Sequence, residues 1–338
     1  MNDLRSWDGY DTLNAQGFDI AVKGDGFIMN SAHAVTPKPA PLLKRIKKHH
    51  ALLIMMLPAL LYYIFFRYVP MYGVVIAFKD FNMRKGILGS PWAGFKYFEQ
   101  MFSGYSFRSV FFNTLILGLM KLIIGFPIPI LFALLLNEVR AVRFKKTVQT
   151  VSYLPHFLSW VVLGSVFIQF FSFSGPVNSL LSAMGFSKIG FFIDPEWFRV
   201  TVLITHIWKT FGWSSIVYIA AITSVDPQIV EAAVIDGATR IQRIRYIILP
   251  SIASVVTVML ILAAGDIIKD DFDQIFNLYN SAVYSTGDVL GTYSYRQGIV
   301  QTNFSYSTAV DLFRNVISLI LVVITNQFAR RVNDYSLW

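Results

Sequence analysis

Apolar residues in this chain are gathered into six long runs, at 51–66, 110–136, 150–173, 198–222, 246–268 and 309–328. Polar and mostly basic stretches separate them. A hydrocarbon core needs about 20 apolar residues of helix. Five runs reach that length unaided, and Ala51–Phe66 does so with its flank Tyr68-Val69-Pro70. Pro127 and Pro129 fall inside the second run, where a buried spanning helix tolerates them as a kink. The pattern predicts an all-α membrane protein of about six transmembrane helices. Residues 1–43 show no periodicity and end in Thr36-Pro37-Lys38-Pro39-Ala40-Pro41, which reads as a disordered cytoplasmic tail. The first apolar run comes too late for a signal peptide, and Met29 is an alternative start.

Charge sets the orientation. The basic clusters 44–48, 140–146, 240–245 and 330–331 share one face of a six-span chain, and the positive-inside rule makes that face and both termini cytoplasmic. The outer loop 78–108 also holds Lys79, Arg84, Lys85, Lys96 and Arg108, but long loops translocate largely regardless of charge. The expected organisation is a tail over 1–43, the first span and outer loop over 44–108, a transmembrane core over 109–328 and a cytoplasmic tail over 329–338.

Composition agrees. Of 338 residues 55% are hydrophobic and 14% charged, against roughly 25% charged in soluble domains, and mean hydropathy is +0.53. The net charge of +9 sits at span ends rather than along a soluble stripe, so nucleic acid is not an expected partner and membrane lipid is. Without Cys there are no disulfides or thiolate chemistry. No H-e-x-x-H, phosphate-cradling G-x-x-x-x-G-K-[ST] or G-x-S-x-G run occurs, so no catalytic or metal residue is assigned and the chain is not expected to be an enzyme. Asp266, Asp270, Asp271 and Asp273 crowd the end of the fifth run. A solvated helix end with Lys269 as counter-charge is favoured there over a metal site.

The most distinctive polar segment lies between the fourth and fifth runs. Asp226 suits a helix cap and Pro227 the first helical position. Glu231, Ala232 and Ala233 continue the helix with side chains that let another surface approach, and Gly237 provides a turn. Arg240, Arg243 and Arg245 then fit the headgroup level before Leu249-Pro250 opens the next span. The expected product is a rigid knob over 228–245 below the membrane. An amphipathic helix lying on anionic headgroups is the simpler alternative.

The run Glu231-Ala232-Ala233, Asp236-Gly237-Ala238 and Leu249-Pro250 resembles the EAA loop of permease subunits in binding-protein-dependent ABC importers. Further stretches resemble the carbohydrate and polysaccharide-fragment permeases of this class, including those for alginate: Pro70-Met71-Tyr72-Gly73, Ala77-Phe78-Lys79-Asp80, Gly89-Ser90-Pro91-Trp92, Tyr153-Leu154-Pro155-His156 and Tyr335-Ser336-Leu337-Trp338. The resemblance covers most of 44–338. It implies the type I importer permease fold, with Glu231, Ala232, Ala233, Asp236, Gly237 and Ala238 on a cytoplasmic coupling helix that docks on an ATPase. It also implies a second permease subunit in a heterodimer, an ATPase dimer carrying the ATP and Mg that this chain lacks, and an extracytoplasmic sugar-binding protein docked on 78–108 and 269–307. The implied function is the translocation path for an oligosaccharide or polysaccharide fragment.

Charged groups at membrane depth cost about 2.5–3.5 kcal/mol on insertion scales and usually face a cavity or partner. Lys121 falls in the second run, and His206, Trp208 and Lys209 in the fourth, with Gly212 and Trp213 adjacent. These four are candidates for the path, weighed against aromatic-belt and helix-packing roles. Asp311 and Arg314 are spaced to pair on one helix face. Lys121, Lys209 and Lys269 suit an acidic cargo, whereas Asp266 and Asp270, read at the outer mouth, oppose it. Rival readings are an ABC permease for another solute, an ion-coupled secondary transporter, which calls for midplane carboxylates not evident in the runs, and a structural scaffold.

Overall fold

The computed structural model describes residues 20–22, 27–29 and 50–333. The rest of the segment read as a tail, the cluster 44–48 and the Tyr335–Trp338 terminus lie outside the described residues. Within that first segment β1 (Ile20–Val22) pairs antiparallel with β2 (Phe27–Met29), with Ile20 opposite Met29. The chain divides into two units, Met1–Pro70 and Met71–Trp338.

Six candidate spans occur among the described residues, three continuous and three bent. The continuous helices are α1 (His50–Phe78), α2 (Tyr105–Asn137) and α10 (Phe304–Asn333). The bent pairs are α3 (Val142–Phe157) with α4 (Trp160–Phe170), at 104°, α5 (Pro195–Thr223) with α6 (Pro227–Ile235), at 72°, and α7 (Arg240–Ser251) with α8 (Ala253–Gly265), at 66°. A seventh piece, α9 (Phe272–Leu278), follows α8 after six non-helical residues.

Proline shapes three of these helices in one way. Turns of π-helix occupy Ile64–Tyr68, Lys121–Gly125 and Ile244–Ile248, each ending two residues before a proline: Pro70, Pro127 and Pro250. Proline has no N–H to continue the ladder and its ring crowds the carbonyl four residues back. The residue before it therefore bonds one position further back, as Val69 N–H does to Ile64 O, Phe126 N–H to Lys121 O and Leu249 N–H to Ile244 O. The helices stay continuous, with a local bulge of the kind found inside otherwise regular helices.

Three expectations change. The third run is not one helix. It folds as α3 and α4, because Pro155 sits in a closing 3-10 turn and Ser159 caps a new helix, accepting from Val162 N–H. The fifth run does not continue to 268: helix α8 stops at Gly265. The sixth span is longer than its apolar run, extending through the expected tail to Asn333.

In the second unit three apolar clusters hold the bundle. One joins Phe107 and Val110 of α2 to Ala264, Ile268 and Val310. Another packs Leu117 on Val202, Ile275 and Leu278. The third brings Ile130 and Leu134 of α2 against Tyr218 and Ile222 of α5 and Ile248 of α7. Helices approach closely where a glycine faces backbone. A Cβ on Gly118 would collide with the Ile267 carbonyl, and one on Gly212 with the Ser152 carbonyl. Gly212 is thus a contact point between α5 and α3.

Candidate functional site

The segment between α5 and α8 forms the expected two helices and turn. Asp226 Oδ1 accepts from Gln228 N–H at 2.9 Å, and Pro227 begins α6. No residue of α6 is buried, and Ile235 at its end is 86% exposed. The turn is a Schellman motif. Ala238 N–H bonds to Ala233 O at 2.9 Å and Gly237 N–H to Val234 O at 3.1 Å, with Gly237 at φ +82°. Thr239 and Gln242 then form a capping box that starts α7, a T-x-x-Q signal the sequence contained.

The structure places Glu231, Ala232 and Asp236 in the open, with Ala233 and Ala238 half-buried. Among the described residues neither Glu231 nor Asp236 has an ion-pair partner. The arginines behave differently from the headgroup reading. Arg240 Nε and Arg243 Nη2 lie 3.8 and 3.6 Å from Glu138 Oε2, at the C-terminal end of α2. Only Arg245, over the Tyr246 ring at 5.7 Å, keeps away from this pair. Glu138 was not singled out from sequence, although it is the acid that separates the second apolar run from the basic loop 140–146.

A second site lies at the middle of the bundle. Lys121 is the central residue of α2 and His206 is within a turn of the centre of α5. Both line a cavity of about 410 Å3 with Thr210, Ser214, Tyr218 and Asp271. Its wall is the non-helical stretch Asp266–Asp271 between α8 and α9. Lys121 Nζ donates to Asp271 Oδ2 at 2.8 Å and to Gln274 Oε1 at 3.1 Å. His206 Nδ1 is 2.7 Å from the same carboxylate oxygen. Gln274, fully buried, donates through Nε2 to Val202 O and to Thr205 Oγ1. One carboxylate thus joins α2, α5 and the break in the fifth span.

Asp270, its side chain 5% exposed, is therefore not part of a solvated helix end, and Asp271, though 41% exposed, faces the cavity with Lys121 and His206. Asp270 accepts from Gly291 N–H and sits 3.5 Å from Arg314, which pairs with Asp311 at 3.5 Å as its spacing predicted. These acids also supply the mid-depth carboxylates that the hydropathy pattern concealed. The Lys269–Asp266 pair, at 3.8 Å, is exposed as expected, and Asp273 is exposed. Among the described residues no group of three His, Cys, Asp or Glu is placed to hold a metal ion.

Lys209 and Trp208 are not brought to the cavity lining. Lys209, 8% exposed, points into the α3–α4 elbow, where Nζ donates to Leu158 O at 2.5 Å and His156 O at 3.0 Å and approaches Pro155 O at 3.5 Å. The elbow leaves helix-end carbonyls without internal partners, and the ammonium serves them. Its Nζ also lies 5.4 Å from the Trp160 ring centre. Trp208 is 45% exposed and packs edge-on against Phe167. Trp213 stacks flat on His156 at 4.5 Å.

Comparison with known proteins places these features in context. The family described as binding-protein-dependent transport system inner membrane component matches residues 101–334. The polygalacturonan/rhamnogalacturonan transport system permease protein YteP of Bacillus subtilis (strain 168) is 44% identical over 298 residues, covering 88% of this chain and 92% of its own length. Protein LplB of the same strain is 40% identical over 294 residues, 87% of this chain and 92% of its own. A chain of a bacterial ABC transporter involved in import of the acidic polysaccharide alginate superposes with a TM-score of 0.80 at 40% identity, covering 86% of this chain and 99% of that one. The alginate transporter in complex with an alginate pentasaccharide-bound periplasmic protein gives a TM-score of 0.81 at 38% identity, over 88% and 99%.

Proposed function

Because the chain belongs to the family of binding-protein-dependent transport system inner membrane components, we propose that it forms the membrane path for an oligosaccharide or polysaccharide fragment in an importer driven by a separate ATPase. The observation that carries this reading is the mid-depth cavity, walled by a break in the fifth span and lined by Lys121, His206, Thr210, Ser214 and Tyr218. Hydroxyls, a charge cluster and an aromatic ring around such a space suit a polyhydroxylated cargo. The names of the relatives, whose cargoes are polygalacturonan, rhamnogalacturonan and alginate, support a sugar polymer. The ion-coupled and scaffold readings have no comparable support in the family.

In the proposed cycle both termini and the 226–245 turn face the cytoplasm. The exposed α6 docks on the ATPase dimer through Glu231, Ala232, Ala233 and Asp236, with ATP and Mg held on that partner. A second permease subunit completes the path, and a sugar-binding protein docks on the opposite face at 78–108 and at the part of 269–307 that follows α9. ATP-driven closure of the dimer moves α6, the bundle turns the cavity outward to receive cargo, and hydrolysis resets it.

The test is reconstitution of the chain with its ATPase, second permease and binding protein in vesicles. ATP-dependent uptake of a labelled oligosaccharide, absent without the binding protein, is expected. Uronate and neutral oligosaccharides are compared directly, since Lys121 and Lys269 at the cavity favour the first and Asp266 and Asp271 temper that preference. Uptake driven by an ion gradient without ATP would defeat the proposal.

A further inference from the structure

We propose that Glu138 is a positioning residue that ties the 226–245 turn to α2, so that movement of the exposed knob is delivered to the helix carrying Lys121. The inference rests on the importer reading above and adds a residue to it.

Three observations converge on it. Glu138 closes the C-terminal end of α2, and its side chain is only 22% exposed. Arg243, 16% exposed, lies 3.6 Å from it, and Arg240, 67% exposed, lies 3.8 Å away, so Arg243 is the sheltered partner. Those arginines stand just beyond the Schellman turn and capping box, which fix α7 rigidly to α6. A load on α6 therefore reaches Arg240 and Arg243 without a flexible joint between.

At its far side the same helix meets the break in the fifth span. Gly118 of α2 abuts the Ile267 carbonyl, and Lys121 is bonded to Asp271. Rotation or translation of α2 must displace the Asp266–Asp271 wall of the cavity. Apolar packing of Ile130 and Leu134 on Ile248 supplies contact between α2 and α7 but slides easily along the helix axis. A charge pair at the helix end resists that sliding, because it has a fixed partner and a partly dehydrated setting where attraction exceeds its value in bulk water.

A positioning role predicts loss of coupling rather than loss of assembly. The experiment uses the full complex in vesicles and measures cargo taken up per ATP hydrolysed, with copurification of the ATPase as the assembly control. Glu138→Gln keeps the shape and removes the charge, and should lower the uptake-to-hydrolysis ratio by about fivefold with assembly intact. A charge swap supplies the decisive arm. In an Arg240→Gln background, Glu138→Arg alone should uncouple the complex, and adding Arg243→Glu should restore the ratio.

Overturning results are a normal ratio in Glu138→Gln, loss of the ATPase on copurification, or a swap no better than the single variant. Failure of the underlying reading looks different: the wild-type complex itself would show no ATP-dependent uptake.

Discussion

Replacing Lys209 by Met separates two roles for a lysine near the centre of a spanning helix. Methionine keeps most of the stem and removes the ammonium that serves the α3–α4 elbow. Two of its bonds, to Leu158 O and His156 O, are short enough to count in full, and the third at 3.5 Å is marginal. Hydrogen bonds to a charged group contribute roughly 1.5–3 kcal/mol each. Against about 3–6 kcal/mol gross from two such bonds stands the cost of keeping an ammonium 8% exposed, several kcal/mol. Deletion removes both and leaves the Leu158 and His156 carbonyls short of donors, at about 1–3 kcal/mol apiece, while Pro155 O keeps the Leu158 N–H. The net loss is roughly 2–6 kcal/mol. Thermal unfolding of the assembled complex, followed by tryptophan emission, should move to lower temperature. Trp160 and Trp213 at the elbow report the change. Maximal uptake should fall while KM for cargo stays within about twofold, as expected when no binding contact is lost. An unchanged unfolding midpoint with a KM raised several-fold would put the ammonium on the cargo and refute the elbow assignment.

Other expectations follow from single positions. At Gly237, φ is +82° and a side chain would meet open space, so only the backbone penalty of about 1–2 kcal/mol applies; uptake should fall in the order Gly, Asn, Ala, Val, and a fully active Val variant would remove the turn from the coupling path. Gly212→Ala drives a methyl into the Ser152 carbonyl and should cost about 1–3 kcal/mol of stability by separating α5 from α3, read as a lower unfolding temperature. On the outer loop, Lys96 and then Tyr97 donate to Asp80 and hold its carboxyl below the ordinary value of 3.8. For a depressed acid the stabilisation is complete above that value and is lost as pH falls below it. Acid-induced exposure of the 78–97 loop to protease should therefore begin below pH 3.8 in the wild type, and Asp80→Asn should remove that pH dependence.

Much of this architecture could be read from the chain. The apolar runs announced the spans, Asp226-Pro227 and Gly237 announced the knob, and the spacing of Asp311 and Arg314 announced their pair. Two interruptions escaped notice because hydropathy does not register them. Ile267-Ile268 is as apolar as the helix before it, and 154–160 sits inside an apolar run despite Pro155, His156 and Ser159, yet Ser159 caps one new helix and Gly265 ends another. Hidden with the second interruption was the cavity, since Asp270 and Asp271 looked like a wet helix end until their partners on α2, α5 and α10 were in place. Lys209 was misjudged for a related reason: its acceptors are backbone carbonyls, and any residue supplies those. Glu138 carried the weakest signal, one acid beside many bases. Its meaning depends on two arginines about a hundred positions away.

The break between α8 and α9 has a consequence for tightness. Backbone that abandons helical pairing within a bilayer is tolerated only where protein buries it or where it meets a water-filled cavity, because hydrocarbon offers it nothing. Here the stretch lines a chamber, so water in that chamber can serve the backbone groups that the protein leaves over. Leu117, Ile275 and Val289, and Phe126 with Tyr218, line that same chamber, and a seal against leaking ions has to come from apolar side chains of this kind closing on one another.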